Sequence, residues 1–255
     1  MKNVSAPIRE SVIRHPQTIW FRLITVAIAA LLWQNAHAGI YLTEGFNYAA
    51  GKLTAWTNPN TNITVTTPGM VFGTLADTTP AGSGRLQINS VGTTGHNQST
   101  DFTASPYVTS GTVYCGFLLN CTTAPTGNQY LIGLVAAGGG LTGSADPLLL
   151  YVNTSSTAGN YKLTIRHTGL GAISAINDLS PNVTNFIVLK YTFGNGGTGQ
   201  LFINPSPGST EPANADATCG PGGTDPANLG SLGIKVQSAS AQGNWELDTI
   251  RVGST

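Results

Sequence analysis

Apolar and polar residues alternate with period 2 in several short stretches, the pattern of half-buried β-strands. Leu86 and Ile88 share one face of the run Arg85–Ser90. Tyr161, Leu163, Ile165 and His167 share one face of the next clear case, with Lys162, Thr164 and Arg166 opposite. Leu232, Ile234 and Val236 alternate with Gly233, Lys235 and Gln237. Residues Phe186–Phe193 are apolar on both faces, as a central strand would be, and Tyr114–Leu119, Tyr130–Ala136 and Leu148–Val152 are shorter runs of that kind. Turn signals rich in Gly, Pro and Asn separate these runs, among them Pro125-Thr-Gly-Asn and Gly194-Asn-Gly-Gly-Thr-Gly. No mature segment sustains a helical i, i+3, i+4, i+7 stripe. The pattern predicts an all-β chain folded as two packed antiparallel sheets, a β-sandwich or jelly roll.

The first residues belong to a different pattern. Lys2, Arg9, Arg14 and Arg22 precede an apolar run, Leu23–Trp33, and an Ala36-His-Ala38 site of small residues. This is the layout of a secretory signal peptide cleaved after Ala38. The run is too short for a membrane span, which takes about 20 residues. The expected organisation is a signal peptide over 1–38 and a single domain over 39–255. One long Pro-rich loop, at about 205–228, is expected within that domain. An exported protein of the cell surface, matrix or periplasm follows, with no span in the mature chain.

Composition narrows the function. Only 9% of the 255 residues are charged, with 11 basic and 11 acidic side chains, against about 25% in an average soluble domain. Removing residues 1–38 leaves 7 basic and 10 acidic side chains. The basic ones are scattered, so no nucleic-acid footprint is present. The glycine-rich stretches 138–143 and 194–199 match G-x-G-x-x-G by letter but open no helix, so they read as turns. No G-x-S-x-G elbow occurs.

Cys115, Cys121 and Cys219 are the only cysteines. Export permits a disulfide. Cys115 and Cys121 are too far apart if one strand holds both, unless it turns at Asn120. Cys219, in the Pro/Gly-rich loop, is the candidate partner for Cys121. No spacing suggests a zinc site.

Two carboxylates fall at apolar strand positions. Glu44 shares parity with Ile40, Leu42, Phe46 and Tyr48, and Asp248 shares parity with Ile250 and Val252. A buried carboxylate needs hydrogen bonds, an ion pair or a cation. Three readings stay open: backbone N–H or Arg partners, a structural Ca²⁺ near the terminal strands, or a catalytic pair.

Glu44-Gly-Phe-Asn-Tyr, Phe186-Ile-Val-Leu-Lys-Tyr-Thr-Phe, Leu201-Phe-Ile-Asn-Pro-Ser-Pro-Gly with Glu211-Pro, and Leu247-Asp-Thr-Ile-Arg-Val-Gly together resemble a known group. They are similar to secreted bacterial proteins of the concanavalin A-like lectin/glucanase superfamily, the LamG-like jelly rolls common in Verrucomicrobia and Planctomycetes. The resemblance covers about residues 40–255 and is strongest at the closing strand. Its terminal pattern, Ile-Asp-Glu-Val-Arg, places Asp248 and Arg251 in corresponding positions. Such proteins often carry a PEP-CTERM sorting tail. None is present here, so surface sorting, if it applies, depends on sequence beyond Thr255. Glucanases of the superfamily carry Glu-x-Asp-x-x-Glu. Here Glu246-Leu-Asp248-Thr-Ile-Arg251 has Arg in the third place, so the pair needed for retaining hydrolysis is incomplete.

The resulting expectation is an exported, non-enzymatic jelly roll that binds carbohydrate. The alternatives are a structural or adhesive surface protein and, third, a glucanase-type hydrolase. Trp56, Tyr107, Tyr151 and Trp245 are the candidate sugar-stacking aromatics.

Overall fold

The short alternating runs become strands because each has one face to bury, and turns of Gly, Pro and Asn return the chain every few residues. The computed structural model describes residues 39–73, 75–76, 84–90, 95–102, 107–143, 145–237 and 240–254. The signal-peptide expectation for 1–38 lies outside the described residues. Among these residues no helix is long and apolar enough to cross a membrane.

The described residues form seventeen strands in chain order: β1 (Ile40–Glu44), β2 (Gly51–Lys52), β3 (Ile63–Thr66), β4 (Val71–Phe72), β5 (Leu75–Ala76), β6 (Arg85–Ile88), β7 (His96–Asp101), β8 (Thr112–Thr123), β9 (Gln129–Val135), β10 (Leu148–Thr154), β11 (Tyr161–His167), β12 (Ile173–Ser174), β13 (Thr184–Thr192), β14 (Thr198–Ile203), β15 (Ala217–Cys219), β16 (Ser231–Val236) and β17 (Asn244–Ser254). Nine form one sheet, in the order β15-β14-β13-β8-β17-β6-β3-β2, with β1 also paired to β17. Six form the second, in the order β12-β11-β10-β9-β16-β7, and β4-β5 is a separate hairpin. All strand pairs are antiparallel. This is the expected two-sheet jelly roll.

Inward residues of both sheets make one core. Val113, Cys115, Phe117, Leu119 and Cys121 of β8, and Ile187, Leu189 and Tyr191 of β13, meet Leu148, Leu150 and Val152 of β10 and Leu163 and Ile165 of β11. Trp245 stands edge-on to Tyr161 across the sheets, with ring centroids 5.1 Å apart and an interplanar angle of 88°. The glycines at 194–199 serve this packing. His167 stacks on Tyr191 at 5.3 Å, and its Nε2 lies 3.1 Å from the Tyr191 hydroxyl. A Cβ on Gly197 would collide with both groups, and its φ of +81° suits glycine.

The long loop is shorter than expected. Asp216 and the residues after it rejoin the sheet, since Ala217–Cys219 pairs with β14 as an edge strand. The expected Cys121–Cys219 disulfide is absent, and all three thiols are free and buried. Cys121 lies on β8 and Cys219 on β15, with β13 and β14 between them. Three inter-strand steps come to about 14 Å, twice what a disulfide spans. Cys115 and Cys121 lie on one unbroken strand that does not turn at Asn120.

Candidate functional site

The closing strand carries a β-bulge that resets its parity. Asp248 pairs with Leu118 and Arg251 with Gly116, so three steps on β17 oppose two on β8. Thr249 takes a φ of +51° inside the bulge, a strained conformation for a β-branched residue. Trp245 and Leu247 before it, and Ile250 and Val252 after it, all point into the core. Asp248 therefore leaves the face of Ile250 and Val252, where simple alternation puts it. It joins Glu246 and Arg251 on the outer face of the nine-stranded sheet.

That outer face carries a groove with two walls. Directly paired residues share a face, so Phe202, Val188, Gly116 and Arg251 form one row across β14, β13, β8 and β17. Gly116 leaves a gap that the Phe186 ring fills, with Cε2 3.3 Å from where a Cβ would stand. The first wall is the segment leading into the β4–β5 hairpin. The Met70 N–H donates to Asp248 Oδ2 at 2.5 Å, Arg85 Nη1 donates to the Pro68 carbonyl, and Phe72 packs on Phe186 at 6.1 Å. The second wall is the loop 205–212. Glu211 anchors it, accepting from Lys190 Nζ at 2.7 Å and from the Tyr114 hydroxyl at 2.7 Å.

Against the second wall lies a cavity of about 380 Å³, lined among others by Tyr114, Phe186, Val188, Phe202, Pro205 and Glu211. A smaller hollow of about 110 Å³ adjoins it across Phe186, lined by Leu75, Gly116, Leu118, Thr249 and Arg251. Aromatic and aliphatic surface dominates, with a few polar groups at the margins, as in ligand-binding clefts.

The charges on this face are mostly neutralised. Arg85 Nε donates to Glu246 Oε1 at 2.7 Å, and Asn120 and Gln87 donate to the same carboxylate at 2.9 and 3.3 Å. Burial alone would raise the Glu246 pKa, but the bonds from Asn120, Arg85 and Gln87 outweigh it and hold the carboxyl below its usual range. Glu211 is also lowered: burial opposes the shift, and Lys190 and Tyr114 drive it. Burial, then the Glu211 acceptor and its charge, push Tyr114 up to about 12. Arg251 is exposed and has no hydrogen-bond or ion-pair partner among the described residues.

The residues singled out by sequence do not converge. Trp56 is 4% exposed and Trp245 1%. Their indole N–H groups donate to Glu44 at 3.3 Å and to the Gln242 carbonyl at 2.7 Å. Both are core residues, not stacking platforms. Tyr151 is nearly buried against Tyr130 on the outer face of the six-stranded sheet, 5.6 Å away. Tyr107, half-exposed, stands apart beside Gly230.

The proposed Ca²⁺ pair is also corrected. Glu44 pairs with Ile250, a core residue, and so faces inward. Asp248 faces outward, so one ion cannot bridge them. Both carboxylates are ringed by donors: the Phe46 N–H at 2.7 Å, the Tyr48 hydroxyl at 2.7 Å and Trp56 for Glu44, and the Met70 and Thr249 N–H groups for Asp248. Ca²⁺ requires oxygen lone pairs instead. Among the described residues no group of three or more His, Cys, Asp or Glu is placed to hold a metal.

Tyr114, Phe186, Phe202 and Glu211 are not among the site residues expected from sequence, although the runs that hold them are singled out there. The available signal was the apolar residue at every outward position of Phe186–Val188, which marks a covered outer face.

No protein-family model matches the chain, and no curated protein matches it. Among solved structures it is similar to an endo-β-1,4-glucuronan lyase from the fungus Trichoderma reesei, at 11% identity and a TM-score of 0.50 over 85% of this chain and 96% of that one. It is similar to a conserved carbohydrate esterase from the Shiga toxin-encoding bacteriophage phi24B, at 13% identity and a TM-score of 0.50 over 86% of this chain and 99% of that one. The VIP36 exoplasmic/lumenal domain, in its Ca²⁺/Man3GlcNAc-bound form, aligns at 6% identity and a TM-score of 0.45 over 68% of this chain and 81% of that one. At such identities the likeness is one of fold, and it is with the lyase and the esterase that the chain shares its overall fold.

Proposed function

We propose that this chain is an exported, non-enzymatic jelly-roll module that binds carbohydrate in the groove on the outer face of the nine-stranded sheet. The observation that carries the reading is the cavity of about 380 Å³ floored by Phe186, Phe202, Val188 and Tyr114 and walled by the loop that Glu211 pins. Aromatic rings present flat apolar faces that suit the C–H faces of sugars, and their edges and hydroxyls suit sugar O–H groups. Carbohydrate is also the class named for the bacteriophage esterase that shares the fold.

The non-enzymatic part rests on how the groove's acids are used. Glu246 is tied to three donors and held in its charged form, a poor general acid. Asp248 faces backbone N–H groups and holds a wall. Glu211 is committed to Lys190 and Tyr114. Glycoside hydrolysis needs one carboxyl group held protonated beside a second that is free to act.

Calorimetry of the full chain against a panel of neutral and acidic polysaccharides tests the reading. Binding should weaken about tenfold or more in Phe186→Ala, whose ring is part-exposed in the cavity, a loss of about 1.4 kcal/mol. Retention of no polysaccharide by a folded chain refutes the carbohydrate reading and leaves a structural or adhesive surface protein. Release of reducing ends or unsaturated sugars, abolished in Glu246→Gln, refutes the non-enzymatic part.

A further inference from the structure

The outer face of the nine-stranded sheet carries Lys52 at its β2 edge and three cations nearer the groove, Arg85, Lys190 and Arg251. Two are matched by carboxylates. Arg85 meets Glu246 at 2.7 Å and Lys190 meets Glu211 at 2.7 Å. Arg251 is exposed, lines the smaller hollow, and has no acidic partner among the described residues. Of the three cations around the groove, Arg251 alone lacks a carboxylate partner among the described residues, and it is the one at the smaller hollow.

Its position depends on a costly device. Without the bulge, strict alternation from Leu247 would turn residue 251 into the core and residue 250 outward. The bulge reverses this, at the cost of a positive φ at Thr249. The Thr249 hydroxyl oxygen is also buried without a hydrogen-bond partner. Strain of this kind persists where the surrounding structure fixes it, often beside a ligand site. Its structural result is an Arg delivered to the end of the row Phe202–Val188–Gly116–Arg251. That row spans three strand steps, about 14 Å, from the aromatic end of the groove to the guanidinium. A chain of sugars lying across the strands would meet aromatic faces first and the cation last.

We propose that Arg251 is a specificity residue, and that the groove takes a polysaccharide whose sugar units carry a carboxylate or sulfate. This rests on the carbohydrate reading above and narrows it to acidic chains. Sugar units over Phe186 and Tyr114 provide apolar contact, and an anionic substituent one or two units along accepts the fork of N–H donors from Arg251. Guanidinium suits either anion because its planar donors match two oxygens at once.

The test is calorimetry of the full chain with an oligogalacturonate, a sulfated galactan oligosaccharide and a neutral β-glucan oligosaccharide of matched length. The acidic chains should bind more tightly than the neutral one, and the tighter of the two names the anion. Arg251→Ala should weaken the preferred acidic chain about tenfold to a hundredfold and leave the neutral one unchanged. Arg251→Lys should recover part of the loss, since the charge remains without the fork. Raising the ionic strength should erode the preference. Arg251 is exposed, so an unchanged melting temperature for both variants is expected and separates recognition from folding. Equal binding of neutral and acidic chains, or a preference that survives Arg251→Ala, overturns the proposal and leaves the carbohydrate reading standing. Loss of all binding only in Phe186→Ala supports that reading, whereas no binding by the unaltered folded chain overturns both.

Discussion

Glu44 and Asp248 stand on neighbouring strands of one sheet and face opposite sides of it. Glu44 is paired with Ile250 and points into the core, and Asp248 is paired with Leu118 and points to the groove. The two buried carboxylates therefore solve separate problems. Glu44 ties the turn after β1 to Trp56, and Asp248 fixes a wall of the groove through Met70.

Because donors surround Glu44, its removal should be costly and its metal dependence nil. Glu44→Ala leaves the Phe46 N–H and the Trp56 indole N–H buried without an acceptor. The expected loss is about 2–3 kcal/mol, read as a lowered urea midpoint. Chelator and added Ca²⁺ should each leave the melting temperature of the unaltered chain in place. A rise with Ca²⁺ would contradict the donor geometry.

Glu246 should give the acid limb of the stability curve a definite sign. Its folded pKa lies below the ordinary 4.5. The contribution is thus fully present above 4.5 and is lost as pH falls through the folded value. The stability gap between the unaltered chain and Glu246→Gln should be widest near neutrality and should close in acid. A gap that stays constant from neutral to acid pH would count against the Arg85, Asn120 and Gln87 arrangement.

The cysteines should behave as buried thiols. Burial pushes Cys115 and Cys121 up to about 12, so neither is a thiolate near neutral pH. A thiol reagent at mildly alkaline pH should label the folded chain slowly and all three positions once it is denatured. Intact mass should show no loss of hydrogen. A peptide linking Cys121 to Cys219 would refute the strand order between them.

Thr249 carries both strain and an unpaired hydroxyl, so its replacement should stabilise the fold. Thr249→Asn keeps a side chain that tolerates positive φ. A gain of about 0.5–1 kcal/mol is expected, seen as a raised melting temperature. A clear loss would mean that the threonine methyl contributes more packing than the strain costs.

Much of this fold was legible as alternation. Tyr161–His167 and Leu232–Val236 form strands with the expected inward sets, because an unbroken strand has a fixed period of 2. The same rule failed at β17, since a bulge on a β-branched residue has no local sequence signal. That one inserted residue lets Asp248 before it and Arg251 after it share the outer face, which no single alternation allows. The stacking candidates failed for a different reason. Trp56 and Trp245 are large enough to fill the core, and their N–H groups found acceptors there. The groove itself arises from segments distant in sequence, Met70 and Glu211 among them, which only the folded chain brings to one face.

The pairing of β17 with β1, β6 and β8 has a consequence for biogenesis. A ribosome working at about 5–20 residues per second takes roughly 10–40 s to pass from the first of these strands to the last. Each of β1, β6 and β8, once made, lacks the neighbour that completes it until β17 follows, and long-range pairing of this kind is slow to form even afterwards. The nascent chain is thereby kept from closing its nine-stranded sheet until the last strand has been made.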